Sequence, residues 1–191
     1  MRLLCFILTI LTINEFYGQK DFQFSWSSDS KLKWQNFRKI DLNDDQENKL
    51  IAAKTYSNFL YKTMDNGALT PPIAVFNELK SWTRVNDSLN LAHEQLHFDI
   101  NELYARKIRK EFVALYAKKE YQTKKYQEII DKYLKELNLI QSVFDTESYK
   151  YSKMRFEDNE WTRRDNFIMV LNKWQEKIEN ELLLYKNYAL D

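Results

Sequence analysis

The sequence is poor in residues that interrupt helices and has almost no net charge. Its 191 residues include only two glycines and two prolines, so few positions force a helix to end. The formal net charge is +1, because 29 basic residues nearly balance 28 acidic ones. Such a balance creates no field that favours nucleic acid or an acidic membrane surface. The length predicts one domain with a sizeable core, and the composition favours long helices.

Cysteine is also scarce, and the one cysteine lies within an N-terminal segment that resembles a signal peptide. After Arg2, residues 3–13 form a mostly apolar run that has about the length of a signal-peptide core and is too short to span a bilayer. We therefore predict a signal peptide at residues 1–18 and an exported protein, periplasmic or secreted, with no membrane span after cleavage. The one cysteine, Cys5, would leave with this signal. The mature chain would then have neither a disulfide nor a thiolate ligand for a metal.

Histidine is scarce as well, and both histidines lie in one short motif. Residues 93–97 read His-Glu-Gln-Leu-His, the HExxH pattern. On an α-helix, residues four apart lie on one face about 6 Å apart along the axis, so His93 and His97 could bind one metal ion. Glu94 would lie beside the metal, where its carboxylate could take a proton from water. The motif predicts a Zn²⁺ site with Glu94 as general base, and a coincidental spacing of two ordinary histidines is the alternative.

From residue 87 onward the sequence predicts helix. Apolar and aromatic residues recur at spacings of three and four, which is the period of an amphipathic helix. The apolar stripe of the first helix includes His97, so we expect the histidines to face the core. The basic residues Arg106 and Arg109 are expected on the solvated face of the same helix. The three predicted helices span residues 88–119, from 123 past 147, and 159–188.

Residues 19–86 predict a β-rich part with short strands. Residues 22–26 alternate with the period of a half-buried strand, and residues 52–64 alternate again. Asp65-Asn66-Gly67 is a turn signal, with Gly67 expected at positive φ. We expect an edge strand within residues 73–82, beside the metal-binding helix. It would either bind a peptide substrate by strand addition or be an ordinary edge strand with a buried tryptophan.

A catalytic zinc usually has three protein ligands, and the histidines supply two. Leu103 occupies the position, ten residues after His93, at which a related pattern places a third histidine. With no further histidine, the third ligand must be a carboxylate or, less commonly, a tyrosine or an asparagine. We therefore look for the third ligand among the acidic residues of the second predicted helix.

Glu147 is the carboxylate that continues the apolar stripe of the second helix. This stripe begins at Tyr126 and recurs in alternating steps of four and three. If the first two helices form an antiparallel hairpin that turns near residue 120, residue 147 or 148 lies opposite His93. We predict Glu147 as the third metal ligand. Asp145 is the rival, and Glu147 could instead simply end the stripe at the surface.

Four segments carry a resemblance to a known family. They are Ser81-Trp82, LKWQNF at residues 32–37, HEQLHFDI with its continuation at residues 93–107, and FDTES at residues 144–148. Together they resemble a bacterial domain family of unknown function whose members are described as secreted zinc proteases of the zincin-like superfamily. The resemblance covers most of the chain after residue 18. It implies an α+β, zincin-like fold, with a small N-terminal antiparallel or mixed β-sheet followed by three long C-terminal helices in one domain, residues 19–191.

The family resemblance implies a metallopeptidase-like fold, and with the HExxH motif it leads us to predict an exported zinc metallopeptidase whose peptide or protein substrate the sequence does not identify. One departure concerns residues after FDTES, where the family pattern has a His-Gly pair and this chain has Lys150 and Tyr151. If that histidine takes part in metal binding or catalysis in the family, this chain would bind metal or catalyse less well. The alternative function is therefore an impaired or non-catalytic envelope protein that keeps the zincin fold, with or without structural zinc.

Overall fold

The computed structural model of the protein describes residues 22–41, 51–152 and 160–190. The signal peptide predicted at residues 1–18 lies outside these ranges, so it and the exported location stay predictions. The structure describes the backbone of Lys150 and Tyr151 but not their side chains. A search of the described helices finds none that is long and apolar enough to cross a membrane.

The N-terminal part forms two small three-stranded sheets, which confirms the predicted α+β class with its mixed and antiparallel strands. The first sheet is antiparallel with the strand order β1-β5-β4, and the second is mixed with the order β2-β6-β3. In chain order the strands are β1 (Gln23–Ser25), β2 (Arg38–Lys39), β3 (Ala53–Lys54), β4 (Ser57–Leu60), β5 (Ile73–Asn77) and β6 (Trp82–Thr83).

The strand expected at an edge within residues 73–82 is instead central, and that expectation was wrong. β5 pairs with β1 on one side and with β4 on the other, and β6 pairs with both β2 and β3. The physical reason is visible in Ala74, Val75 and Phe76, which are all buried. A continuous apolar run is typical of a strand that is covered on both faces. The edge strands β3 and β4 contact the first helix.

Gly67 closes the turn between β4 and β5 with φ at +86°, as predicted. A Cβ at this position would lie 2.6 Å from the backbone oxygen of Tyr121, so the site excludes a side chain for a second reason. Thr123 donates a hydrogen bond to the Gly67 carbonyl (2.6 Å), and the Tyr116 hydroxyl donates to the Leu69 carbonyl. The β4–β5 turn is therefore attached to the connection between the first two helices.

The helical part contains three long helices, α1 (Ser88–Ala117), α2 (Thr123–Ser152) and α3 (Glu160–Leu184). Asp87 caps α1, because its side chain accepts a hydrogen bond from the Asn90 amide (2.9 Å). The chain turns between α1 and α2 at Lys119, which has φ at +56°. The helix positions and the hairpin turn near residue 120 are thus confirmed.

α1 is the central helix, because the sheets, α2 and α3 all contact it. Residues 100–106 are buried without interruption, so more than one face of α1 is covered. One face of α3 joins the same core through residues at helical spacing, namely Phe167, Val170, Leu171, Trp174, Ile178 and Leu182. Covering α1 on all sides also buries its polar side chains, and each of these then needs a partner.

Glu102, Arg106 and Arg109 form a buried ionic cluster on α1, so the solvated face expected for the two arginines was wrong. Glu102 Oε1 lies 2.8 Å from Arg106 Nε and 2.5 Å from Arg109 Nη2. Arg106 also donates to the Leu182 carbonyl of α3 (3.0 Å). Spacings of four and seven residues place these side chains on one face. That face is turned towards α3, and the cluster ties α1 to it.

We expect Glu102→Gln to lower the free energy of unfolding by about 3 kcal/mol or more, because two guanidinium groups lose this buried counter-charge. Chemical denaturation measures the change. The matched control is Glu128→Gln, which removes a charge from an exposed pair with Lys124 at 3.9 Å. The control should cost less than about 1 kcal/mol. Equally small effects for the two variants would contradict a structural role for the cluster.

Candidate metal centre

The two histidines lie one turn apart on α1 and face α2. The imidazole of His93 stacks on Phe144, with ring centroids 4.5 Å apart and 22° between the planes. The rings of His93 and His97 are 4.7 Å apart and nearly perpendicular. His93 is only 4% exposed. The prediction that both histidines face the core is therefore confirmed.

Asp145 of α2 reaches both imidazoles with one carboxylate oxygen. Its Oδ1 lies 3.0 Å from His97 Nε2 and 3.6 Å from His93 Nε2. The three ligand atoms all lie within 4.8 Å of one another. Tetrahedral zinc with ligand bonds of about 2.0–2.1 Å holds its ligand atoms about 3.3 Å apart, and the two distances to Asp145 bracket that value. His93, His97 and Asp145 are thus a group that could hold a metal ion.

Glu147 does not belong to this group, and the preference for Glu147 over Asp145 is corrected. Its carboxylate instead accepts hydrogen bonds from Trp174 Nε1 (2.9 Å) and Lys173 Nζ (3.1 Å) of α3. The reason is helical drift. Alternating steps of four and three repeat every 3.5 residues, whereas a straight α-helix has about 3.6, so the predicted stripe rotates by about 20° per heptad.

Over the three heptads from Tyr126 to Glu147 this drift amounts to about 60°. At the end of α2, the side towards α1 is consequently taken by Gln141, Asp145 and Ser148. The hairpin register was nevertheless correct, because Ser148 lies opposite His93. The polar residues at positions 141, 145 and 148, spaced by four and three, mark this side of α2 in the sequence, but only the packing of α2 shows that it faces α1.

Gln141 orients His97. Its Nε2 donates a hydrogen bond to the His97 backbone oxygen (3.0 Å), and that oxygen can only accept. The amide orientation is thereby fixed, so Gln141 Oε1 must accept from His97 Nδ1. A proton on Nδ1 leaves Nε2, the nitrogen that faces Asp145, available to a metal ion. Sequence reasoning did not identify Gln141.

Ser148 contacts the other imidazole. Its Oγ lies 3.0 Å from His93 Nε2 and 2.6 Å from the Phe144 carbonyl, to which it donates. Nε2 is also the His93 nitrogen that faces Asp145, so a metal ion bound at that nitrogen would replace the contact with Ser148. Ser148 is fully buried, so its position is well defined by packing. It was not identified from the sequence either.

Asp99, which follows His97 by two residues, fastens a different part of the fold. Its Oδ1 accepts hydrogen bonds from Trp26 Nε1 (2.6 Å) and Gln95 Nε2 (2.7 Å). Gln95 also accepts from the Leu32 amide (2.7 Å). The variable residues of the HEQLH motif and Asp99 therefore attach β1 and the segment after it to α1.

Glu94 lies beside the three ligand candidates. It is 4% exposed, and its Oε1 is 3.5 Å from His93 Nδ1. Among the described residues its Oε2 has no hydrogen-bond partner. Burial raises the pKa of Glu94, but the hydrogen bond to His93 and the charge on His97 outweigh it, so the net pKa is lowered. The carboxylate is therefore an ionised proton acceptor.

A cleft of about 390 Å³ opens over Glu94, His97 and Asp145. One wall is the segment 53–57, which includes β3 and the start of β4, and the other is α2 from Leu137 to Asp145. Asn101, which is 1% exposed, lines the same cleft one turn beyond His97. An ionised carboxylate, two members of the group that could hold a metal ion and an edge segment thus share one cleft.

The electrostatics couple His97 to Asp145. Burial lowers the pKa of His97, but the hydrogen bond to Asp145 and the charge on Glu94 raise it more, and the net pKa is raised. Burial raises the pKa of Asp145, but His97 outweighs this effect, and the net pKa is lowered. Burial lowers the pKa of His93, which is therefore neutral near pH 7. Without a metal, His97 and Asp145 form an ion pair.

Comparison of the chain with protein-family models, with curated proteins and with solved structures finds no match. The chemistry of the site must therefore be inferred from its geometry. Two imidazoles and a partly exposed carboxylate, with an ionised glutamate beside them, have the chemistry to bind a divalent metal and to move a proton next to it.

We expect Asp145→Ala to lower the affinity for zinc by at least about tenfold, because it removes a ligand. Glu147→Ala is the matched control, because it removes a carboxylate from the same helix that faces α3, where it accepts hydrogen bonds from Trp174 and Lys173. It should leave the zinc stoichiometry unchanged. Metal analysis after equilibrium dialysis measures both variants. A loss of zinc in Glu147→Ala alone would restore Glu147 as the ligand.

The ion pair also predicts how zinc binding depends on pH. The raised pKa of His97 contributes stability that is lost as the pH rises through that value, and the lowered pKa of Asp145 contributes stability that is lost as the pH falls through it. A metal needs the neutral imidazole. Zinc binding at about pH 6.5 should therefore release about one proton from His97. At about pH 8.5 a smaller fraction of His97 is protonated, so zinc binding should release fewer protons.

Calorimetry in two buffers of different ionisation enthalpy counts these protons. An absence of proton release at the lower pH, with zinc bound, would show that His97 is already neutral.

Proposed function

We propose that this protein is a zinc-dependent peptidase in which Glu94 is the general base. The observation that carries the proposal is the position of the Glu94 carboxylate. It is ionised, its Oε2 has no partner among the described residues, and it lines the cleft beside His93, His97 and Asp145. A buried acceptor without a partner is costly, so its retention there fits a role with water or substrate.

The residues present fit zinc. Two imidazoles and one carboxylate are a ligand set of catalytic zinc sites, which keep one further position for water or substrate. A bound zinc ion would polarise the scissile carbonyl and lower the pKa of a bound water to about 7. Gln141 accepts from Nδ1 of His97, the ring nitrogen that would not bind the metal, as groups behind metal-binding histidines do in general.

The protein's own residues would move the proton. Glu94 Oε2 accepts a proton from the attacking water, and the same carboxylic acid then donates it to the nitrogen of the leaving amine. No net proton is gained or lost by Glu94 over the cycle. Its low pKa means that it starts each cycle in the basic form.

The cleft suits an extended chain. Its β-rich wall, residues 53–57, contains β3 and the start of β4, which are edge strands of their sheets. Edge strands bind extended peptides by adding them as a further strand. We place the substrate along this wall and not along β5, which is already paired on both sides.

A zincin-like fold and an exported location belong to the same proposal, and both derive from the sequence. The alternative, a non-catalytic envelope protein with structural zinc, has less support. A structural site is closed and has no use for a second carboxylate beside the metal ligands. Glu94 lines an open cleft instead of filling a gap in the core.

We expect Glu94→Gln to retain zinc and to lose activity by about 10²–10⁴-fold, because the amide cannot accept the proton. Hydrolysis of fluorescently labelled casein by zinc-loaded protein is a suitable first assay. Glu176→Gln, an exposed change of the same kind on α3, should leave both zinc and activity unchanged. Activity that survives in Glu94→Gln would remove Glu94 as the base.

A further inference from the structure

Asn101 is the second side chain in the cleft with an unsatisfied polar atom. It is 1% exposed, and among the described residues its Oδ1 has no hydrogen-bond partner. Within the described part of the chain, the other such atom that lines the cleft is Glu94 Oε2. Two buried acceptors on one wall of one cleft indicate that the occupant of the cleft supplies hydrogen-bond donors.

The orientation of the Asn101 amide is determined by its neighbour. Its Nδ2 donates to the backbone oxygen of Asn58 on β4 (3.3 Å). A carbonyl oxygen can only accept, so the amide nitrogen must face Asn58 and Oδ1 must be the other atom. Asn101 therefore presents a fixed acceptor, and its complement is an N–H or O–H group.

The spacing along α1 identifies the class of donor. Glu94 and Asn101 are seven residues apart, which places them within about 20° of each other around the helix and about 10.5 Å apart along it. His97 and Asn101 are separated by about 6 Å along the axis. An extended peptide repeats its N–H groups on one side about every 6.7 Å. A peptide with its scissile group near Glu94 and His97 thus brings a backbone N–H to Asn101.

We infer that Asn101 is a substrate-positioning residue whose Oδ1 accepts a hydrogen bond from a backbone N–H of an extended peptide, about two residues from the scissile bond. This role rests on the proposed function. It extends the binding surface from the edge segment 53–57 to the helix itself. The peptide would then lie between a backbone edge on one side and Asn101 on the other, and its register against Glu94 would be fixed.

The test compares protein and ligand changes in one thermodynamic cycle. Zinc-loaded wild-type protein is titrated by calorimetry with two series of tripeptide hydroxamates. The zinc-chelating hydroxamate is at the amino end in one series and at the carboxyl end in the other, so both directions along the cleft are sampled. In each series, single backbone N–H groups are replaced by an ester oxygen, which removes the donor at almost constant shape.

We expect one ester replacement to weaken wild-type binding by roughly five- to tenfold, the usual effect of one hydrogen bond. Asn101→Leu should weaken the unmodified compound to the same extent and be insensitive to that replacement. Asn172→Leu, the same change at an exposed position on α3 outside the cleft, should behave like wild type. Asn101→Ala provides a second variant if the leucine disturbs folding.

Two failures are distinguishable. If wild type binds no zinc, the proposed function and this inference both fall. If zinc and the hydroxamates bind, but Asn101→Leu and Asn101→Ala remain as sensitive to every ester replacement as wild type, the role of Asn101 is overturned and the peptidase proposal stands. Unchanged zinc stoichiometry and thermal unfolding in the Asn101 variants show that any effect arises from the lost acceptor.

Discussion

The burial of α1 on all sides is the constraint on which the rest of this structure depends. Both sheets, α2 and α3 pack around it, so its polar side chains must find partners inside the protein. Most do so in pairs that tie α1 to a neighbour. Glu102 with its arginines reaches α3, Asp99 reaches Trp26 after β1, and His97 reaches Gln141 of α2.

Against this background of satisfied groups, the exceptions are informative. Glu94 Oε2 and Asn101 Oδ1 are buried without a hydrogen-bond partner among the described residues, and both residues line the cleft between α2 and the segment 53–57. The buried side-chain oxygens of α1 that lack a partner in the described part of the chain thus belong to cleft-lining residues. This position distinguishes one side of α1 by an observation that is independent of the HExxH spacing.

The α1–α2 hairpin connects the fold to the chemistry. Packing of Phe144 against His93 sets how the two helices lie against each other at this level. The same helix supplies Asp145 to both imidazoles, Gln141 to Nδ1 of His97 and Ser148 to Nε2 of His93. Because three side chains of one helix contact two histidines of another, a small rotation of α2 would disturb the whole group that could hold a metal ion.

The sequence by itself determined the elements that depend on local patterns. The helices, the turn at Gly67, the register that sets His93 against residue 148, and the motif of His93, Glu94 and His97 all follow from short-range spacing. Tertiary structure alone decided which carboxylate joins the histidines. The choice of Asp145 over Glu147 depends on the cumulative rotation of α2 and on where α3 lies, since Glu147 binds α3. It also decided that Arg106, Arg109 and Asn101 are buried, because the number of faces that a helix buries depends on how many elements pack around it.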